Sequence, residues 1–168
     1  MEEQLKYIVS QAIDMHVHIG PEVIPRKYTA QSLAKSEAGK LKGAILKNHF
    51  YPTAAMFTYE EIDGIKLYGS IVLNNAVGGM NAEAVYAASL VADTPLIVWL
   101  PTINAEQFLK TNKYEIAPEW VADKSLKLKA AKDTKPVRVT KNGKLLPETN
   151  QVIQMLTQVK GVLATGHI

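Results

Sequence analysis

Two histidines, His16 and His18, follow an aspartate, Asp14, at two-residue intervals in the stretch AIDMHVHIG at residues 12–20. Side chains alternate across an extended strand, so this spacing predicts Asp14, His16 and His18 on one face. Ile13, Met15, Val17 and Ile19 then form the other. A solvated strand face carries Lys, Glu or Thr more readily than two imidazoles. Two neutral imidazoles at this interval can reach one cation, with Zn–N near ~2.0–2.1 Å. Asp14 can support them by accepting a ring N–H from behind. The competing reading is a pair of ordinary strand histidines.

The surrounding pattern predicts what would position them. A helix over 3–11 leads into the first strand, which the breaker Gly20-Pro21 ends. Thr29 caps a helix over 30–38, with Gly39 beyond it. The second strand, 43–49, puts Lys47 and His49 at its exit. A helix over 54–62 follows, with Thr53 as its cap. The third strand, 67–73, ends in Asn74-Asn75. Asn81 caps a helix over 82–92, and Met80 and Val85 hold the two positions of a hydrophobic staple. The fourth strand, 95–100, contains LIVWL, an unbroken apolar run of the kind buried on both faces in parallel sheets. It ends in Pro101-Thr102. The rhythm breaks over about 104–147, read as an insertion. One helix is expected there over 117–129, and Asn142-Gly143 predicts a hairpin over 137–146. A helix over 149–160 and a fifth strand, 162–165, lead to Gly166-His167.

Alternating β and α units about thirty residues long predict a single α/β domain over 1–168 with about five parallel strands. In such sheets the strand C-termini share one side, where active sites form. All four histidines fall at strand exits: His16 and His18, His49, and His167. They form the candidate metal ligands. Lys47 and Asp14 are the candidate catalytic residues. Asn74, Asn75 and Thr102 are candidate substrate-binding residues, although such residues often only satisfy turn backbones.

Composition narrows the chemistry. The chain has 168 residues, 47% apolar and 21% charged, with a net charge of +3. This is the profile of an ordinary globular domain. Much of the positive charge lies in a lysine-rich patch at 124–135 without interleaved aromatics, so nucleic acid is not an expected partner. There is no cysteine. Disulfides, thiolate metal sites and a cysteine nucleophile are thereby excluded, and a metal must use N and O ligands. No segment approaches the ~20 apolar residues of a membrane span, and the acidic N-terminus lacks a signal-peptide core. A cytoplasmic protein is expected. Three or four histidines with an open position suit Zn²⁺ first, and also Mn²⁺, Fe²⁺ or Ni²⁺, as one ion or two. Such an ion lowers the pKa of bound water to about 7. Hydrolysis of a small-molecule amide, ester or phosphoester follows.

These residues resemble the amidohydrolase superfamily of metal-dependent hydrolases. The Asp14, His16, His18 pattern matches its opening motif, and a histidine at the end of the fifth strand matches a later ligand. The segments IDMHVHIGPE, ILKNHF, VLNNAVGGMN, VWLPT and LATGHI resemble an uncharacterised group of metal-dependent hydrolases within it. The resemblance implies a (β/α)₈ barrel, with His16, His18 and His167 as metal ligands. It also implies a bridging carbamylated lysine. In the family that lysine lies on the fourth strand; here the lysine is Lys47, on the second. Unmodified, Lys47 would instead bind an anionic substrate group. A barrel takes ~250 residues, so five strands would make a partial TIM barrel, an N-terminal fragment of the fold. Its open edges could be covered by a second copy. Two other readings are a histidinol-phosphatase-like (PHP) phosphoesterase and a catalytically incomplete binding domain. A flavodoxin-like domain fits poorly, because Gly20-Pro21-Glu22-Val23 is not a phosphate loop.

Overall fold

The structure is a computed structural model that describes residues 2–56, 64–92 and 95–168. Helix α1 (Glu2–Ser10) leads into β1 (Ile13–His18), followed by α2 (Ala30–Glu37) and β2 (Gly43–Lys47). Then come β3 (Lys66–Tyr68), β4 (Ser70–Val72), α3 (Ala82–Val91), β5 (Ile97–Trp99) and α4 (Glu106–Thr111). The short strands β6 (Thr140–Lys141) and β7 (Lys144–Leu145), α5 (Pro147–Gln158) and β8 (Val162–Ala164) complete the order.

The strands do not form one barrel-like sheet, which corrects the expectation of a partial TIM barrel. They make two three-stranded parallel sheets, β1-β2-β3 and β4-β5-β8, and an antiparallel hairpin, β6-β7. The expected third strand is divided between the two sheets at Gly69. The cause lies in the turn after β2. There the Thr53 hydroxyl accepts the Ser70 N–H at 2.8 Å and donates to the Leu46 carbonyl at 2.7 Å. A side chain thus takes the place of a ladder bond between β2 and β4. The turn also packs so close that a Cβ on Gly69 would strike the backbone of Ala54. Thr53 accordingly does not cap a helix. It opens a 3₁₀ turn, Thr53–Met56, and the remainder of the helix expected over 54–62 lies outside the described residues.

Helices cover one face of the strands. Leu33 and Ala34 of α2 pack on Ala44, Leu46, Ile65 and Leu67. Val85 and Ala88 of α3, with Val152 and Leu156 of α5, pack on Ile71, Leu73 and Val98. The opposite face gathers Ile45, Val72, Ile97 and Trp99. Local chemistry sets the helix ends. Thr29 and Ser32 form a reciprocal capping box on α2, and the Asn81 side chain accepts from Glu83 and Ala84 at the start of α3. Asn142 and Gly143 both hold positive φ, 52° and 73°, as the two-residue β6-β7 turn requires.

The region from 106 to 133 departs from expectation. It carries α4, which the sequence pattern did not signal, and a 3₁₀ turn at Pro118–Trp120 in place of the helix over 117–129. The chain doubles back there: Glu115 N–H bonds Lys129 O at 3.2 Å, and Ala131 N–H bonds Lys113 O at 3.0 Å. Those pairings join the two flanks of the segment, 113–115 and 129–131, and close it into a loop. Among the described residues no helix is long and apolar enough to cross a membrane.

Candidate metal centre

The exits of β1, β2 and β5 meet on the face opposite the helices. β1 pairs with β2 through Ile13↔Gly43 and Asp14↔Ala44, then slips one residue before Val17↔Leu46 and His18↔Lys47. The slip re-aims the strand. His18 lands beside Lys47, whereas Asp14 lies in the row of Ala44. The Asp14 carboxylate accepts the backbone N–H of His16 at 3.0 Å, so it braces the strand and does not hold a ring N–H.

His16 and His18 come together. Their Nε2 atoms lie 3.0 Å apart and their ring centroids 4.9 Å apart. Two nitrogens on one tetrahedral Zn²⁺ at ~2.0–2.1 Å stand roughly 3.3 Å apart, so the spacing fits a shared ion with little adjustment. The His49 ring lies 4.6 Å from that of His18, and the His16 ring packs at 4.7 Å on Trp99. His167 is tethered by its N–H to Pro101 O at 2.8 Å and stacks at 5.4 Å on Phe108. Burial, followed by the charges of Lys47 and His49, pushes its pKa down. The His16 pKa is lowered by burial and then by Lys47. That of His18 falls to about 3, through burial and then the charges of His49, Arg26 and Lys47. These shifts favour the neutral form of His16, His18 and His167, the form in which imidazole ligates a metal. His18 Nδ1 is buried without a hydrogen-bond partner among the described residues.

Lys47 is enclosed, with only 2% of its surface exposed. Its Nζ lies 3.2 Å from His16 Nε2 and 4.2 Å over the Trp99 ring. Burial lowers its pKa to about 8, against the partial support of Glu22. It is the group a cation at His16 would have to displace or deprotonate.

Glu22 and Trp99 belong to this patch, although the sequence pattern did not mark them. The Glu22 side chain is fully enclosed. Its Oε1 accepts from His49 Nδ1 at 2.6 Å and from the His49 backbone N–H at 3.1 Å. Its Oε2 accepts from Arg26 Nε. Burial alone would raise the Glu22 pKa, but the hydrogen bonds from His49 and Arg26 and their charges hold it down at about 2. The signal available in the sequence was its position four residues past His18 and four before Arg26. His18, Glu22 and His49 offer donor atoms within 4.8 Å of one another. Arg26 and the His49 proton already occupy the Glu22 oxygens, so the histidine nitrogens are the freer part of that group.

Three other candidates are spent on structure. Asn74 Nδ2 donates to His49 O at 3.0 Å and to Thr102 Oγ1 at 2.8 Å, and its Oδ1 accepts the Thr102 N–H at 2.9 Å. Asn74 and Thr102 are buried and lock the exits of β2, β4 and β5 together. Asn75 turns away, donating to Lys135 O at 2.8 Å.

Residues 11–168 match a family of unknown function (DUF6282), and the chain belongs to it. No curated protein and no solved structure matches the chain.

Proposed function

We propose that this protein is a metal-dependent hydrolase of the amidohydrolase type, acting on a small molecule in the cytoplasm. The carrying observation is the pair of imidazole nitrogens 3.0 Å apart on β1, with the His49 ring 4.6 Å from that of His18. His16 and His18 would hold the ion through Nε2, and His49 and His167 would complete its N-donor set. Zn²⁺ suits such ligands best. When bound, the ion supplies hydroxide at neutral pH by lowering the pKa of its water to about 7.

The chain's own residues account for the rest. Lys47, moved off His16 Nε2 by the ion, would offer its positive charge to an anionic substrate group or a developing oxyanion. Trp99 walls the same spot with an apolar surface that strengthens such charges by excluding water. The scissile bond is an amide, an ester or a lactone. Zinc loading followed by elemental analysis tests the reading, with hydrolysis assayed on amide, ester, lactone and phosphoester panels. Wild type is expected to retain metal and His16→Ala/His18→Ala to lose it. A double variant that keeps the full metal content would overturn the reading.

A further inference from the structure

Glu22 is a buried carboxylate with no part in binding the ion as described above, yet it is one of the most closely held groups in the molecule. The loop that carries it is pinned at both ends. Gly20 N–H bonds Tyr28 O at 2.8 Å, and Asn48 Nδ2 bonds Pro21 O at 2.9 Å. Glu22 Oε1 then meets both the ring and the backbone of His49, while Arg26 takes Oε2. Arginine can only donate, so Glu22 is an acceptor on both oxygens. The 2.6 Å contact to His49 Nδ1 must therefore carry its proton on the nitrogen. The second neighbour of Nδ1, Arg26 Nη2 at 3.2 Å, is a donor facing a donor, and it yields to the shorter bond. With Nδ1 protonated, Nε2 is the nitrogen that a neutral His49 ring leaves bare for a metal. Among the described residues it makes no hydrogen bond.

We propose that Glu22 is a positioning residue for the metal centre: it holds His49 as the Nδ1–H tautomer and aims its free Nε2 at the ion. This rests on the metal-dependent reading given above. A carboxylate behind a ligand histidine raises ligand basicity and fixes the ring, and its loss typically costs 10–100-fold in metal affinity. Glu22→Gln separates this role from mere packing. Its amide has one acceptor and one donor group. One oxygen cannot serve Arg26 and both N–H groups of His49, and the neutral amide no longer supports the basicity of the ring.

Zn²⁺ affinity is measured by competition with a chromophoric chelator in wild type, Glu22→Gln, His49→Ala and the double variant. The expected result is a 10–100-fold loss for Glu22→Gln in the wild-type background and no further loss where His49 is already alanine. Equal losses in both backgrounds, or none, overturn the assignment while leaving the metal reading intact. A wild type that takes up no Zn²⁺ overturns both. The tautomer is also read without any substitution, from the imidazole ¹⁵N shifts of His49 in metal-free protein. A neutral ring with its proton on Nδ1 supports the assignment, and a proton on Nε2, alone or together with one on Nδ1, overturns it.

Discussion

Replacing Lys47 by Met tests the electrostatics of the centre most directly. The ammonium is buried with 2% exposure, and burial brings its pKa from 10.5 to about 8. That drop corresponds to about 3 kcal/mol disfavouring the charged form in the folded state at pH 7. Methionine keeps the volume and removes the charge. The substitution also forfeits the contact over Trp99 at 4.2 Å, worth about 1 kcal/mol, and the hydrogen bond to His16, worth about 1 kcal/mol. The net expectation is a metal-free protein more stable by about 1 kcal/mol at pH 7. The pH dependence has a definite sign. The folded pKa lies below the unfolded one, so between pH 8 and 10.5 the unfolded chain binds more protons and wild-type stability rises with pH. The penalty is complete below pH 8 and gone above 10.5, so the advantage of Lys47→Met shrinks across that window and reverses at its upper end. Urea denaturation of both proteins without metal, followed by circular dichroism at pH 7 and pH 10.5, measures it. A stability difference that is the same at both pH values would refute the argument.

Two further substitutions probe how the site is held. Asn74→Leu strands His49 O and the Thr102 N–H and hydroxyl in a buried setting. At about 1–3 kcal/mol for each orphaned group, thermal melts should show a loss of at least about 3 kcal/mol; a variant within 1 kcal/mol of wild type would mean that this network carries little. Gly166→Ala adds a Cβ that collides with the carbonyl oxygens of Leu100 and Pro101, and so lifts the segment carrying His167. Zinc titration should show affinity down by roughly tenfold or more, the lower end of the cost of disturbing a ligand's support. Unchanged affinity would remove His167 from the ligand set.

The readable parts of this molecule were those whose cause is local. The Thr29 and Asn81 caps, the Asn142-Gly143 turn and the strand carrying His16 and His18 are each specified by residues a few positions apart. Backbone hydrogen-bonding and φ preferences act at that range. The meeting of His49 with His18 followed from the exits of two neighbouring parallel strands sharing one side. Signals from outside a segment were what misled. The segment 117–129 has helix-forming residues, but its flanks, 113–115 and 129–131, are paired across a doubled-back chain.

The sequence by itself determined which groups are available: four histidines and a lysine at strand exits and no cysteine, so any bound cation would meet nitrogen and oxygen donors. Tertiary structure alone decided how the strands divide and how the site is braced. Thr53 interrupts the sheet by reaching Ser70, 17 residues on, and Glu22 finds His49 27 residues away. Such bonds depend on two chain segments being folded against each other, and no spacing along either segment encodes them.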